Sequence, residues 1–369
     1  MLLVQRRRRD HVVQGVDPYG KPSLEILMNT GRSFLAVCAL AALFVVGCED
    51  LTPDIDGRQS IVEPADTVAI SDTTGYTDPA DTLDPVDPVD PPHDDVQTLH
   101  GWYELPVAHD ADGNGVEDND ASLYYASHSF SMNSREYRNY TVCYSGDHHC
   151  PVWVAAPRHS VYSGSTKRSD AYKCDPDIPA DIQYSSKSTG GGCNKGHMLG
   201  SAERTCCLSA NQQVFYYANI APQLSAGFNT GGGGWNLLED YVDGQVCSDT
   251  LYIVIGCYFD QFTDGYGYTV SPKVIDFGGR NDVDCPTMFY YVLLRTKSGS
   301  SGKALKDCNA SDMKCAAFVR AHTNSLKGQK PSAREMMSVS DLEKITGFTY
   351  FPNVPNAPKD TYSASEWGL

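Results

Sequence analysis

The sequence predicts an α+β fold with a central, mainly antiparallel sheet and flanking helices. Residues 250–259 (TLYIVIGCYF) and 286–296 (PTMFYYVLLRT) are apolar runs rich in β-branched and aromatic residues, which is typical of interior strands. Residues 139–145 (NYTVCYS) and 151–157 (PVWVAAP) are two more strand-like runs, separated by the turn-like GDHH. No internal repeat is evident, so we predict one folded domain over residues 96–369.

Two segments carry the signals of short helices. Residues 234–244 (GWNLLEDYVDG) read as an amphipathic helix. The residues of its apolar stripe are Trp235, Leu238 and Val242. In residues 338–347 (SVSDLEKITG), Ser340 stands three residues before Glu343, as in a capping box, and Gly347 is a suitable helix stop.

The N-terminal 48 residues predict an export signal. Residues 33–47 (SFLAVCALAALFVVG) follow Arg32 and form an apolar run of signal-peptide length, too short for a comfortable membrane span. The run ends in VVGC, which resembles the lipobox of bacterial lipoproteins, so Cys48 is the predicted lipidation site. An ordinary signal peptide with an incidental cysteine is the alternative. Residues 1–27 are interpreted as an upstream extension, and the chain is predicted to be lipid-anchored in the bacterial cell envelope.

Residues 49–95 form an acidic, Pro/Asp-rich segment, which we predict to be a disordered tether. They hold 14 acidic residues and one arginine, and residues 1–48 hold six basic and three acidic residues. Of the net charge of −17, the remaining residues 96–369 therefore carry −7. Proteins that coat nucleic acid are usually basic, so this domain is not of that class. If it acts on a polyanion, it does so through a local cationic patch or a metal.

Beyond Cys48 the chain has 11 cysteines. In an exported protein this number predicts several disulfides with at least one unpaired thiol. A structural zinc site is the alternative, but no CxxC pair occurs in the sequence. Short-loop pairs such as Cys143–Cys150 and Cys308–Cys315 are candidate pairings.

Residues 110–120 (DADGNGVEDND) match the first half of a calcium-binding loop. Asp110, Asp112 and Asn114 alternate before a glycine, as the ligands of such loops do. The twelfth position is Ala121, where the loop requires a bidentate Glu. The segment is therefore interpreted either as a structural Ca²⁺ site or as a solvated acidic turn.

His197 follows a glycine in CNKGHMLGSAERT and is the candidate for proton chemistry. Downstream, Asn219 ends an aromatic run in YYANIAPQ, Asn229 precedes a run of glycines, and Glu239 lies on the helix that follows. Upstream, KRSDAYKCDPDI supplies Arg168. This set does not suit structural zinc, which takes Cys and His. It suits a hard cation such as Mg²⁺, which keeps most of its water and takes one or two protein oxygens.

These motifs, in this order, resemble the DNA/RNA non-specific endonucleases of the ββα-metal class, also called His-Me finger nucleases. The usual signature is Asp-Arg-Gly-His, then Ser-Asn-Ile-x-Pro-Gln, then Leu-Asn-x-Gly-x-Trp-x-x-Leu-Glu; this chain has NKGH, ANIAPQ and FNTGGGGWNLLE. RSDAYKCDPDI resembles the Arg-bearing segment of the family, and SVSDLEKITGFTYF resembles its C-terminal element. The resemblance covers about residues 140–352 and implies a sheet that carries a ββα-metal active-site motif.

The resemblance implies metal-dependent hydrolysis of phosphodiester bonds in DNA and RNA, with little sequence specificity and with 5′-phosphate products. His197 would deprotonate the attacking water, a task for a group that titrates near neutrality. Asn229 would give Mg²⁺, or Mn²⁺ in its place, one direct protein oxygen, and Glu239 would hold a metal-bound water. Arg168 would clamp the scissile phosphate with its forked donors.

Three more residues complete the implied substrate site. Lys195 and Arg204 would meet flanking phosphates, and Asn219 would orient the histidine loop or the metal shell. The implied partners are DNA and RNA as substrates and a membrane through the lipid anchor at Cys48. The oligomeric state has no sequence signal.

The chain departs from the family signature at four points. Asn194 replaces Asp, Lys195 replaces Arg, and Gly200 replaces the usual proline. The segment between Asn229 and Trp235 is two residues longer than in the family. These changes are compatible with a slower enzyme, or with a catalytically lapsed surface protein that binds nucleic acid or a partner. A phosphodiesterase for a smaller substrate is a further alternative.

Overall fold

The structure is a computed structural model that describes residues 102–108, 121–229 and 231–369. The signal peptide with Cys48, the acidic tether and the candidate calcium ligands within 110–120 lie outside these residues, so they stay predictions. Within the described ranges, no helix has the length and apolar character needed to cross a bilayer.

Short and long strands make up most of the regular structure in the described ranges. In chain order they are β1 (Val107–Ala108), β2 (Leu123–Met132), β3 (Arg135–Ser145), β4 (Cys150–Arg158), β5 (Cys193–His197), β6 (Ile220–Leu224), β7 (Leu251–Tyr258), β8 (Phe262–Thr263), β9 (Thr269–Val270), β10 (Lys273–Phe277), β11 (Arg280–Cys285), β12 (Met288–Thr296), β13 (Met313–Ala321), β14 (Met336–Met337) and β15 (Phe348–Thr349). The helices are α1 (Leu208–Gln213), α2 (Gly234–Asp243) and α3 (Val339–Thr346).

A seven-stranded antiparallel sheet forms the centre of this domain, in the order β14-β13-β12-β7-β4-β3-β2. The α+β class predicted from the sequence is confirmed, and the two longest apolar runs are the neighbouring strands β7 and β12. Nearly every residue of these strands is buried, because both faces of the sheet are covered. Four two-stranded ribbons accompany it: β1–β15, β5–β6, β8–β9 and β10–β11.

Alternate side chains of the sheet pack into two separate cores. On one face, Ile253 and Leu293 pack with Trp235 of α2. On the other face, Val254 and Val292 pack with residues of α3. Because successive strand residues point to opposite sides, one continuous apolar run can supply both cores.

The helix predictions are confirmed for both segments, with one correction. The apolar stripe of α2 is buried as predicted: Trp235, Leu238 and Val242. For α3, Gly347 ends the helix in the left-handed conformation at φ 75°. The N-cap, however, is Ser338 rather than Ser340, because the Ser338 hydroxyl accepts the amide of Asp341 at 3.1 Å.

The eleven described cysteines are free thiols in the structure. Cys143 packs into the core on the α3 side of the sheet, and Cys150 packs into the core on the α2 side. The sheet therefore separates these two sulfur atoms, and the candidate pairing Cys143–Cys150 is wrong.

Candidate active site

A ββα unit lies on the α2 side of the sheet. Strand β5 pairs antiparallel with β6, and His197 lies opposite Ile220 in the register. The chain then turns through Asn229 into α2, and the amide of Trp235 donates to the carbonyl of Phe228 at 2.8 Å. This hairpin followed by a helix is the arrangement that the sequence motifs imply.

One cleft of about 600 Å³ brings most of the predicted site together. It is lined by five of the predicted residues: Arg168, Lys195, His197, Asn229 and Glu239. Six further residues that line it are Tyr172, Glu203, Gln223, Asn236, Asp240 and Asp243. Residues far apart in the chain therefore share one cavity, which is the arrangement that a hydrolytic site requires.

The imidazole of His197 is held by aromatic rings. Phe215, which is fully buried, packs against it edge-on with ring centroids 4.8 Å apart, and Tyr172 lies at 5.9 Å. The Nε2 atom is enclosed and has no hydrogen-bond partner among the described residues. Burial lowers the pKa of His197 to about 3, and the positive charge of Arg168 adds to the effect. The ring is therefore a neutral imidazole at neutral pH.

Asn219 supports the loop after His197 from within the core. Its Oδ1 accepts the amide of Leu199 at 3.0 Å, and its Nδ2 donates to the carbonyls of Leu199 at 2.9 Å and Val214 at 2.7 Å. Its backbone carbonyl accepts the amide of Met198 at 2.9 Å. Asn219 is fully buried and therefore does not contact substrate directly, so its predicted place in the substrate site is wrong. Its place fits the other part of the expectation, the orientation of the histidine loop.

Gln223 connects the hairpin to Asn229. The side-chain amide nitrogen of Asn229 donates to the side-chain oxygen of Gln223. This bond uses the nitrogen of the Asn229 amide and not its oxygen, Oδ1. A Cβ on Gly196 would lie 2.1 Å from the Gln223 side chain, so a larger residue before His197 would displace the side chain that bonds to Asn229. The glycine of the NKGH motif is thus explained by the close approach of Gln223.

One part of the cleft is acidic. Glu203, Glu239, Asp240 and Asp243 all line it, and Glu203 pairs with Arg158 at 2.6 Å. The pKa of Glu239 is raised well above its ordinary value, first by burial and then by the negative charges of Glu203 and Asp243. Sequence reasoning missed Glu203, although it stands in CNKGHMLGSAERT, the same segment that carries His197.

Another part of the cleft is cationic. Arg168 is half exposed; its Nε donates to Asp170 at 2.7 Å and its Nη2 to the Tyr172 hydroxyl at 3.0 Å. Its guanidinium also lies over the Phe215 ring, 4.7 Å from the centroid. Lys195 lies 5.3 Å from the centroid of Tyr172. Both predicted phosphate-binding cations thus adjoin the aromatic rings that hold His197.

Arg204 does not reach the cleft, and the expectation that it meets a phosphate is wrong. It is fully buried, with its guanidinium over the Tyr162 ring at 4.2 Å. Its donors bond to Oδ1 of Asn139 at 2.7 Å, to the Asn139 carbonyl at 2.8 Å and to the Pro157 carbonyl at 2.9 Å. The residue braces strands β3 and β4 against the histidine loop, because nearly every donor of the fork has a protein acceptor.

A second group of side chains could hold a metal ion: His128, Asp175 and Asp177. Nε2 of His128 lies 2.8 Å from Asp175, and its Nδ1 lies 3.8 Å from Asp177. The two carboxylates therefore lie next to different nitrogens of the imidazole ring. This contact ties β2 to the segment that carries Arg168.

His322 holds the end of β6 in a defined protonation state. Its Nε2 accepts the amide of Leu224 at 2.8 Å, and its Nδ1 donates to the carbonyl of Pro286 at 2.7 Å. The ring packs edge-on to Phe228 at 4.7 Å. Burial lowers the pKa of His322 to about 3. Both nitrogens are used by the neutral tautomer, so protonation would break the bond to the β6 end.

We expect stability to fall with acidification because of this histidine. Between the unfolded pKa of about 6.5 and the folded pKa of about 3, the unfolded chain binds a proton that the folded protein does not. The unfolding free energy should therefore drop by about 1.4 kcal/mol per pH unit for His322 alone. Urea unfolding of wild type and His322→Gln across this range measures the slope.

The variant should be less stable at neutral pH but show a shallower pH slope. Phe228→Leu serves as a control, since it removes packing next to the same ring without removing a titrating group. An unchanged slope in His322→Gln would contradict the assignment.

The sheet, the ββα unit and the polarised cleft agree with the comparison to known protein families. The family model described as DNA/RNA non-specific endonuclease matches residues 119–357. This match covers most of the chain, and the chain belongs to the DNA/RNA non-specific endonuclease family.

Curated relatives are similar at modest identity. The chain is 28% identical over 227 residues to the mitochondrial nuclease EXOG of Homo sapiens, which covers 60% of this chain and 57% of that protein. It is 26% identical to Nuclease C1 of Cunninghamella echinulata, over 58% of this chain and 81% of that nuclease. It is 27% identical to a nuclease of Nostoc sp., over 59% of this chain and 73% of that nuclease. The chain thus spans somewhat more than half the length of the human relative.

Proposed function

We propose that the protein is a divalent-metal-dependent endonuclease that hydrolyses phosphodiester bonds of DNA and RNA with little sequence specificity and leaves 5′-phosphate products. The observation that carries the proposal is the single cleft, in which a neutral imidazole, an amide and carboxylates share one cavity with Arg168 and Lys195. Cations suit the phosphates of the substrate, and an oxygen-rich acidic part suits a hard metal ion.

The donors in the cleft fit Mg²⁺, with Mn²⁺ as the alternative. They are amide and carboxylate oxygens, the ligands that these ions prefer. Burial raises the pKa of Glu239 most, and the negative charges of Glu203 and Asp243 raise it further; a bound divalent cation would oppose both effects by stabilising the ionised carboxylate. Asn229 would bind the ion directly and Glu239 through a water. The chemistry that the ion supplies when bound is neutralisation of the charge on the phosphate and on the leaving oxygen.

His197 acts as the general base in this proposal. Its Nε2 is enclosed by protein, so Nδ1 is the ring nitrogen that would accept the proton of the attacking water. The pKa of about 3 lies below the near-neutral value expected from the sequence. It keeps the ring unprotonated before substrate binds, and the negative charge of a bound phosphate would raise the pKa toward the range that suits a general base. Arg168 would bind the scissile phosphate through its forked donors, and Lys195 would bind a neighbouring phosphate.

Export and anchoring belong to the same proposal. Cys48 would carry the lipid, and residues 49–95 would hold the domain away from the membrane in the bacterial cell envelope. In an oxidising compartment some of the cysteines would form disulfides. The Cys193 and Cys285 thiols hydrogen-bond to each other in the structure, and we propose them as one such pair, which the sequence did not indicate.

The test is a metal-titrated plasmid assay on the purified protein and on Asn229→Ala. We expect nicking with Mg²⁺ or Mn²⁺, none with excess chelator, and a loss in the variant of at least the roughly 10- to 100-fold that is typical when only an outer-shell partner is removed, partly restored by higher Mg²⁺. Asn281→Ala, an exposed change on β11 outside the cleft, should behave as wild type.

Two outcomes would contradict the proposal in different ways. Binding of nucleic acid without cleavage under any divalent ion would establish the lapsed surface protein that the Asn194 and Lys195 departures suggest. Hydrolysis of a chromogenic diester without plasmid nicking would identify a phosphodiesterase for smaller substrates.

A further inference from the structure

Three cations converge on the ring of Tyr172 at the edge of the cleft. The ammonium of Lys187 lies 5.5 Å from the ring centroid, and that of Lys195 lies 5.3 Å from it. Arg168 donates to the hydroxyl of the same tyrosine at 3.0 Å. The ring in turn lies 5.9 Å from the imidazole of His197. Neither the sequence motifs nor the family resemblance points to Lys187.

These charges are only partly compensated by the protein. Asp170 pairs with Arg168 at 2.7 Å, but in the described ranges no carboxylate pairs with Lys187 or Lys195. Cation–π contacts with Tyr172 offset a part of the mutual repulsion of the two lysines. An anion placed at the two ammonium groups would remove it, because each would gain a charge-assisted hydrogen bond.

The backbone around Lys187 is fixed before any ligand arrives. The amides of Ser185 and Ser186 donate to the carbonyl of Gly278 at 2.8 and 2.9 Å, and the amide of Gly278 donates to the carbonyl of Ser188 at 3.1 Å. Lys195 donates to the carbonyl of Lys187 at 3.1 Å and so links the loop to β5. A preorganised loop loses little entropy when the lysine binds an anion.

We propose that Lys187 and Lys195 form a second phosphate subsite on the Tyr172 ring, which binds the phosphodiester next to the one that is cleaved. This inference rests on the proposed function, in which Arg168 holds the scissile phosphate. Because Arg168 and both lysines meet at one tyrosine, the two anions would be neighbours on one nucleic-acid strand. The subsite therefore favours polymers over substrates that carry a single phosphodiester.

Binding without catalysis tests the subsite separately from the proposed function. A labelled single-stranded oligonucleotide is titrated with the full chain in excess chelator, using wild type, Lys187→Gln, Lys187→Arg and Lys344→Gln. Lys344 is the matched control, since it is exposed on α3 and pairs with Asp341 at 2.8 Å on the other side of the sheet. Lys187→Gln should bind about three- to tenfold more weakly, and its salt slope should fall by about 0.7. Lys187→Arg should retain most of the affinity.

Cleavage then identifies the phosphate that Lys187 meets. Wild type and Lys187→Gln cut end-labelled oligonucleotides that carry one neutral methylphosphonate on the 5′ side of a chosen linkage, on its 3′ side or at neither, and the rate of cleavage at that linkage is measured from the labelled fragments. With the methylphosphonate on one side of the cleaved linkage, the loss of cleavage rate from Lys187→Gln and the loss from the neutral linkage should not add, because both changes remove the same contact between Lys187 and a phosphate. Hydrolysis of a chromogenic diester should be equal in the two proteins.

The outcomes separate the two proposals. If Lys187→Gln binds the oligonucleotide more weakly than wild type in excess chelator, and wild type hydrolyses no substrate, the subsite is retained and the proposed catalysis is removed. Normal hydrolysis with unchanged affinity and salt slope in Lys187→Gln would overturn the subsite alone. An equal loss on the chromogenic diester and on the oligonucleotide would also overturn it, since that pattern indicates a general effect on the cleft.

Discussion

Replacing His197 with alanine is expected to reduce plasmid nicking by about 10²- to 10⁴-fold, which is the usual contribution of a positioned general base. The imidazole lines the cleft with Asn229 and Glu239, and its low pKa keeps it unprotonated. Removal of the ring should lower kcat and leave the affinity for DNA in excess chelator unchanged, because no phosphate contact is lost. Nicking rates under saturating Mg²⁺ and binding isotherms measure the two effects.

A control histidine distinguishes lost chemistry from lost packing. His148 stacks on Phe259 at 4.0 Å and pairs with Asp284 at 2.7 Å, and it does not line the cleft. His148→Ala should nick plasmid at the wild-type rate. Since His197 also packs on Phe215, thermal unfolding of both variants checks that the fold persists. Wild-type nicking by a folded His197→Ala protein would remove His197 from the mechanism.

The sheet was predictable because its strands carry their own signal. β7 and β12 are buried on both faces, and such strands must read as continuous apolar runs. Helix α2 was predictable because Trp235, Leu238 and Val242 recur at helical spacing, and the apolar stripe that they form is buried. The start of α3 was less well defined, since SVSDLE offers two serines as caps and only the backbone shows which hydroxyl meets an amide.

The site was predictable only where motif order implies a shared cleft. His197, Asn229 and Glu239 line one cavity, although 42 positions separate the first from the last. Sequence order cannot show which way a cation points, so Lys195 and Arg204 looked alike although one lines the cleft and the other lies in the core.

Residues without a motif were missed for the same physical reason. Lys187 stands in a Ser/Gly-rich loop that approaches Tyr172 only because the β10–β11 ribbon holds it there. Glu203 was overlooked because a short 3₁₀ turn, Ser201–Glu203, places its carboxylate in the cleft, and so short a turn has no periodic signal. Such residues are found by the contacts of the folded chain.

Arg204→Met is expected to lower the unfolding free energy by about 3–5 kcal/mol, because several buried acceptors lose their donor at about 1–3 kcal/mol each, partly offset by the cost of burying the guanidinium that is removed. The change leaves Oδ1 and the carbonyl of Asn139 and the carbonyl of Pro157 without their donor. It also leaves Glu203 with less positive charge nearby, since burial raises the pKa of that carboxyl and Arg158 and Arg204 oppose this rise. Urea unfolding at neutral pH measures the loss.

Arg204→Lys and Lys195→Gln separate a brace from a substrate contact. Lysine keeps the charge at position 204 but lacks the fork that meets several acceptors, so we expect a loss of about 1–3 kcal/mol in stability and an unchanged salt slope for DNA binding. Lys195→Gln should show the opposite pattern, with nearly wild-type stability and a shallower slope, because its ammonium lines the open cleft. A shallower slope in folded Arg204→Lys, at wild-type stability, would return Arg204 to the substrate site.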